Sequence, residues 1–290
     1  MSFSAEVKAE LEKIMPASRH CQLAELSAMI HFGCRIEKSE DGKNEIQMYC
    51  ENDSAFRKYF TLLKKTFMIG TDVDKVLQAI KLLEGEKQVR TVFDEVNPVL
   101  IKNSCCRRAF LRGAFLCVGS MSDPQKSYHL EFVCDREIKA IQVQEAIKSF
   151  DLDAKIVKRK KYYVVYLKEG AGIVDLLNVM GAHLSLMNLE NLRIEKEMRN
   201  SINRQVNCET ANIAKTVNAA NKQIEDIQLL EKCYGFSNLP ENLRQMAIVR
   251  LAHPESSLQE LGGYLDPPVG KSGVNHRLRK LSEMAEKIRD

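Results

Sequence analysis

The sequence predicts an α+β domain with internal pseudo-two-fold symmetry, followed by an all-α helix-turn-helix domain. Three observations carry that prediction. A helix–strand–helix pattern occurs twice within residues 1–182. From His183 onward strand-like alternation gives way to helical spacing. Near the C-terminus a capped short helix, a double-proline turn and a basic helix follow one another.

The opening Met1-Ser2-Phe3-Ser4, followed by Glu6, Lys8 and Glu10, has no apolar core and is not expected to be a secretory signal. Cys21-x-x-Ala24-x-Leu26 returns as Cys106-x-x-Ala109-x-Leu111, and each begins an apolar helical run that ends at a glycine, Gly33 or Gly119. A strand is expected after each run, over Glu45–Cys50 and Tyr128–Cys134. An amphipathic helix is expected after each strand, ending near Phe67 and Phe150. In the second of these helices Ile138, Ile141, Ala146 and Ile147 hold helical spacing. Basic and aromatic residues alternating with β-branched ones from Lys155 to Leu167 read as a hairpin. The stretch from Ile69 to Val92 lacks the matching pattern. The two copies are placed at about 1–95 and 96–182.

With 290 residues, 44% hydrophobic and 28% charged, the chain has material for two domains with real cores. A net charge of +4 is too small to argue for nucleic acid, so the distribution of charge must do so. The most apolar late stretch, Gly172 to Leu189, is interrupted by Asp175, Asn178 and His183 and reads as no membrane span. Nine cysteines without Cys-x-x-Cys spacing read as free, mostly buried thiols in a reducing cytosol. The six histidines do not supply ligands near paired cysteines, so no metal or other cofactor is expected.

A helical linker is expected over 183–207 and the DNA-binding domain over 208–290. Ile194, Met198, Ile202 and Val206 make one apolar stripe, while Arg193, Lys196, Arg199 and Arg204 lie on other faces. Arg199 and Arg204 are candidate phosphate contacts, although a solvated helix face gives the same pattern. Pro240 suits the first turn of a helix with Leu243, Ala247 and Leu251 inward, stopped at His253-Pro254. Ser257-Leu258-Gln259-Glu260 is a capping box opening a short helix with Leu258, Leu261 and Leu265 on its apolar side. Asp266-Pro267-Pro268-Val269-Gly270 must turn, and a third helix runs from about Lys271 with Val274, Leu278 and Leu281 inward. Gly262 stands where two helices cross closely. Lys271, Ser272, Asn275, His276 and Arg279 then face outward, and Lys271, Arg277, Arg279 and Lys280 make Val269 to Ser282 basic and free of acids. In a recognition helix, Arg279 or Lys271 can pair with guanine and Asn275 with adenine.

The run Leu111-Arg112-Gly113-Ala114-Phe115-Leu116-Cys117-Val118-Gly119 resembles the LAGLIDADG motif of homing endonucleases. The resemblance implies two helices packed face to face through small residues: Ser27, Ala28 and Gly33 in the first copy, Gly113 and Gly119 in the second. In that family each helix ends with a metal-holding acid before its last glycine. Here those positions are Phe32 and Val118, and no Asp or Glu occurs from Leu26 to Ile36 or from Lys102 to Ser122. Metal-assisted hydrolysis needs hard oxygen ligands, so the scaffold is expected to be catalytically inactive. Family strands lie in the DNA major groove, which makes Lys155, Lys158, Arg159, Lys160 and Lys161 on the hairpin candidate phosphate contacts. A lysine-protected sheet edge explains them equally.

Met1-Ser2-Phe3-Ser4-Ala5-Glu6-Val7-Lys8, Cys105-Cys106-Arg107-Arg108-Ala109-Phe110, Glu209-Thr210-Ala211-Asn212, Thr216-Val217-Asn218-Ala219-Ala220 and Lys271-Ser272-Gly273-Val274-Asn275-His276-Arg277-Leu278-Arg279-Lys280 closely resemble the WhiA family of bacterial regulators. That resemblance spans almost the whole chain and is weakest from Ile69 to Val92. It implies a degenerate homing-endonuclease domain tethered to a DNA-binding domain. The implied roles are transcription regulation, cell division and chromosome segregation, and sporulation in filamentous actinobacteria. The expected partner is double-stranded DNA, joined by RNA polymerase or another regulator, with the protein a cytoplasmic, nucleoid-associated monomer. Two alternatives stay open: an interaction adaptor with incidental DNA affinity, and an endonuclease using acids elsewhere in the chain.

Overall fold

The computed structural model describes residues 2–50, 52–67, 72–84, 88–89 and 95–289. It divides into two compact units, Met1–Glu197 and Met198–Asp290.

The first unit opens with α1 (Phe3–Lys13), whose N-terminus is capped by the Ser2 hydroxyl accepting from the Ala5 amide. The apolar run of the first copy forms α2 (Arg19–Gly33). From Leu26 to Gly33 every residue is buried, as expected of a helix that is apolar all round. It passes directly into β1 (Cys34–Lys38), which pairs antiparallel with β2 (Asn44–Met48), Cys34 opposite Met48. Then come α3 (Asp53–Thr66), capped by Asn52, and α4 (Val73–Ala79). A two-residue pairing of β3 (Leu83–Glu84) with β4 (Gln88–Val89) follows. Part of the patternless Ile69–Val92 stretch lies outside the described residues; the rest is α4 and this short pair.

A 3-10 turn (Pro98–Ile101) leads into the second copy. It comprises α5 (Ser104–Val118), β5 (Gly119–Met121), β6 (Leu130–Cys134), α6 (Glu137–Lys148), β7 (Lys155–Arg159) and β8 (Tyr162–Leu167). The four strands form one antiparallel sheet in the order β5-β6-β8-β7, so the predicted hairpin forms one edge. Next is α7 (Gly170–Met180), ended by Gly181 in the left-handed region at φ 91°. The fold is α+β with the expected internal pseudo-symmetry, its core centred where α2 packs on α5.

Several local expectations need correction. The strands after the glycines, β1 and β5, are short and were not anticipated, and β2 and β6 are shorter than expected. On α6 the core face is Ala140, Val143, Ala146 and Ile147. Ile138 and Ile141 are exposed, because spacing gives a helical period without saying which stripe meets the sheet. The cysteines carry no disulfide among the described residues, and Cys105, Cys208 and Cys233 are exposed rather than buried.

Helix α8 (His183–Cys233) begins in the first unit and ends in the second, so the expected 207/208 boundary falls inside it. Its stripe residues Ile202 and Val206 are exposed. The second unit continues with a 3-10 turn (Phe236–Asn238), α9 (Glu241–Ala252), α10 (Leu258–Gly263) and α11 (Lys271–Arg289). Pro240 caps α9 from outside instead of occupying its first turn. The buried face of α9 is Leu243, Met246, Ala247 and Arg250, with Leu251 only partly buried. Among the described residues no helix is long and apolar enough to cross a membrane.

Candidate nucleic-acid interface

The second unit sets α11 against α9 and α10 through contacts only small residues permit. The reciprocal capping box starts α10: the Ser257 amide donates to Glu260 Oε2 at 2.7 Å, and the Glu260 amide to Ser257 Oγ at 3.4 Å. The Ser257 amide holds the Glu260 carboxyl below its ordinary pKa. Helix α10 ends where the Val269 amide donates to the Gly262 carbonyl at 3.0 Å. A Cβ at Gly262 would stand 2.0 Å from the Val269 carbonyl oxygen and 3.2 Å from Val274 Cγ2, so no other residue fits this crossing. Gly273 is similarly constrained, its Cβ position 2.4 Å from Val269 Cγ1.

On α11, Val274, Leu278, Leu281 and Ala285 are buried, forming one stripe. Helical geometry therefore turns Lys271, Ser272, Asn275, His276, Arg279 and Lys280 to the surface, and all six are exposed. Arg277 is half-buried, with Nη1 reaching the Asn242 carbonyl at 3.5 Å. Arg279 pairs with Glu283 at 3.1 Å, both side chains largely exposed. Glu283, the first acid after the acid-free run, thus engages the second arginine of that run from one turn away.

The auxiliary candidates sit in different surroundings. Arg199 and Arg204 are exposed on α8. Lys158, on β7, lies over the Tyr163 ring at 5.3 Å, and Arg159 pairs with Glu131 at 3.2 Å. Lys160 occupies the exposed β7–β8 turn at φ 53°.

In the first unit, α2 and α5 pack with their N-termini together and their C-termini together. A Cβ at Gly113 would fall 2.6 Å from the Glu25 carbonyl oxygen and 3.1 Å from Ala28 Cβ; one at Gly33 would fall 2.8 Å from Cys117 Sγ. Ser27 is buried. Gly119 is constrained differently, because its Cβ would strike Phe115 of its own helix at 2.2 Å. At the C-terminal end a cleft of about 820 Å³ is lined by His31, Phe32, Val118, Asp135 and Lys139, among others. Phe32 is buried edge-on to Phe110, ring centres 6.0 Å apart, and Val118 is half-buried. Lys139 donates to the His31 carbonyl at 2.9 Å and pairs with Asp135 at 3.0 Å. Burial pushes the His31 imidazole down to about 4, leaving it neutral beside the Ser27 carbonyl at 2.7 Å. Among the described residues no three His, Cys, Asp or Glu side chains converge at this end.

Two constellations escaped the sequence reading. Glu25 is fully buried between Lys58 Nζ and Arg112 Nε, each at 3.1 Å. Lys58 also donates to the carbonyls of Leu11 and Ile14, and Arg112 to that of Met180 at 2.7 Å. Burial raises the Glu25 carboxyl above its ordinary range, although the two cations pull it back. The available signal was a lone acid and a lone arginine in otherwise apolar runs. The second constellation is His20, Cys21, Cys105 and Cys106, whose ligand atoms lie within 4.8 Å of one another. It overturns the expectation that no histidine stands near paired cysteines: the fold joins residues 86 positions apart.

Known proteins bracket both units. Family models match residues 19–94 (WhiA N-terminal LAGLIDADG-like domain), 107–199 (WhiA LAGLIDADG-like domain) and 202–285 (WhiA C-terminal HTH domain). A "Probable cell division protein WhiA" of Lachnoclostridium phytofermentans is 51% identical over 313 residues, covering all of both chains. One of the same name from Alkaliphilus oremlandii is 46% identical over 316 residues, covering 100% of this chain and 98% of its own. The crystal structure of full-length WhiA from Thermatoga maritima matches over 99% of both chains, with a TM-score of 0.60 at 27% identity. With its LAGLIDADG-like unit and its C-terminal helix-turn-helix, this chain belongs to the WhiA family.

Proposed function

We propose that the protein is a DNA-binding regulator of cell division that acts through α11 and does not cut DNA. The observation carrying this reading is the exposed set Lys271, Asn275, His276, Arg279 and Lys280, within an acid-free run, on a helix fixed by the Gly262–Val269 crossing. Such a face suits the major groove: Asn275 and Arg279 offer base-edge contacts, while Ser272, Arg277 and Lys280 serve phosphates. Arg199 and Arg204 on α8, and Lys158, Arg159 and Lys160 on the β7–β8 edge, are proposed as further phosphate contacts, with 208–290 the minimal reader. The name shared by the relatives supports the cell-division role. Transcription control, chromosome segregation, a nucleoid-bound cytoplasmic monomer and an RNA polymerase contact are the finer parts of the proposal. Phe32 and Val118 in the cleft favour a scaffold without cleavage, since neither can hold a cation.

The test is retention of fragmented genomic DNA by the full chain at two salt concentrations, with sequencing of what is retained. Wild type should hold a defined set of fragments and lose affinity steeply with salt. Asn275→Ala or Arg279→Ala should cost roughly 1–3 kcal/mol and relax one position, whereas Lys280→Ala should lower the salt slope by about one. Unchanged retention by a variant lacking Lys271, Arg277, Arg279 and Lys280 would sink the reading. The exposed Ile202, Val206, Ile213 and Val217 on α8 favour an adaptor as the second reading. In that case the α11 substitutions would leave the division phenotype intact. Cleavage of any retained fragment with magnesium would restore the nuclease.

A further inference from the structure

The N-terminal ends of α2 and α5 meet at a cluster that neither the helix-turn-helix nor the cleft uses. His20 and Cys21 lie in the first turn of α2, Cys105 and Cys106 in the first turn of α5. His20 Nδ1 stands 3.1 Å from Cys106 Sγ and 3.3 Å from Cys21 Sγ, and all four ligand atoms fall within 4.8 Å of one another. Cys21 and Cys106 are buried against Ala24 and Ala109, while His20 and Cys105 are exposed. We propose that these four side chains form a structural zinc site that ties the two copies together at their helix N-termini.

The donor set and the spacing support this. Three thiolates and an imidazole make the Cys₃His combination of closed structural zinc sites, too soft for magnesium or calcium. Around a tetrahedral zinc with Zn–S of about 2.3 Å and Zn–N of about 2.1 Å, neighbouring ligand atoms stand ~3.5–3.8 Å apart. The cluster reaches that geometry by rotamer-scale shifts: the His–Cys contacts open by a few tenths of an ångström and the longest separation closes by about 1 Å. A depression of about 470 Å³, lined in part by Ser18, Cys21, Cys105 and Arg108, gives an ion a way in. Neither helix start is closed by its own cap: Ser18 and Asn103 make no side-chain capping bond. Two uncapped helix N-termini therefore face the place where thiolate charge would gather.

The full chain, purified under reducing, oxygen-free conditions, is loaded with Zn²⁺, stripped of excess and assayed with a chelating dye. One zinc per chain is expected. Co²⁺ loading should give the d–d absorption of a tetrahedral site and strong thiolate-to-cobalt charge transfer. Cys105→Ser and His20→Ala, both at exposed positions, should each lower zinc affinity more than about 100-fold, beyond what losing a supporting partner costs. Both variants should melt like metal-free wild type in chelator, which separates lost ligation from lost folding. Less than a tenth of an equivalent of zinc and no tetrahedral cobalt bands in wild type would overturn the site. So would undiminished binding in both variants, or a Cys21 disulfide to Cys105 or Cys106 in protein prepared without oxidant.

Discussion

The two ends of the α2–α5 pair come from one repeated element yet offer opposite chemistry. At the C-terminal end, where homing endonucleases carry acids, Phe32 and Val118 stand beside a neutral His31 and a Lys139–Asp135 pair. At the N-terminal end, His20, Cys21, Cys105 and Cys106 converge. The helices between are held by close small-residue contact at Gly113 and by the buried Lys58–Glu25–Arg112 triad. The difference teaches that a duplicated helix pair can lose its hard-cation ligands at one end while keeping the packing, because the packing is set in the middle. The other end is then available to a softer ion.

The sharpest way to break this comparison is to remove the shared frame. Glu25→Gln leaves two buried cations facing a neutral amide and should cost roughly 3–5 kcal/mol in urea unfolding of the full chain. A cost below about 1 kcal/mol would mean the triad is not what holds the pair. Next in size is the acid response at the cleft. His31 has a folded pKa of about 4 against an ordinary 6.5, lowered mainly by burial. The unfolded chain binds the extra proton between these values. The stabilisation is therefore complete above 6.5 and is lost as pH falls through 4, a change of about 3 kcal/mol. Stability curves over that window should flatten in His31→Gln, and an unchanged slope would place the acid response elsewhere.

Smaller effects separate the middle from the ends. Gly113→Ala drives a methyl into the Glu25 carbonyl and should cost about 1–3 kcal/mol, whereas Gly33→Ala meets only the Cys117 sulfur and should cost less. Equal thermal shifts for the two would remove the distinction. The smallest effect is Cys105→Ser in chelator, within about 0.5 kcal/mol because the residue is exposed. The same substitution compared in excess zinc should open a clear gap in melting temperature.

What could be read in the sequence follows from the range of the forces involved. The Ser257–Glu260 box and the inward stripe of α11 were legible because they depend on neighbours three or four positions away. The exclusion of larger residues at Gly262 was readable from the helix-turn-helix layout. Ile138 and Ile141 hold the expected helical spacing yet lie exposed, because periodicity leaves the buried face undetermined. At Gly119 the nearest constraint is Phe115 of its own helix, since a small residue at a helix end can serve its own chain as well as the opposite one. The His20–Cys106 contact was only half legible: the repeat matches Cys21 to Cys106, but that the two helix starts meet around His20 depends on how the two copies pack.

The Glu25–Arg112 contact crosses the pseudo-two-fold only once. In the repeat register that matches Cys21 to Cys106, the counterpart of Glu25 is Phe110 and that of Arg112 is Ser27. A dimer of identical subunits shows every cross-axis contact twice, so a single anion–cation pair across the axis cannot arise in one. Two second halves would bury each Arg112 guanidinium with no carboxylate opposite, a costly arrangement. The seam therefore works as a polarised key. If the chain were split between the copies, the second-half fragment should favour the first half over its own kind, since only Glu25 offers Arg112 a carboxylate.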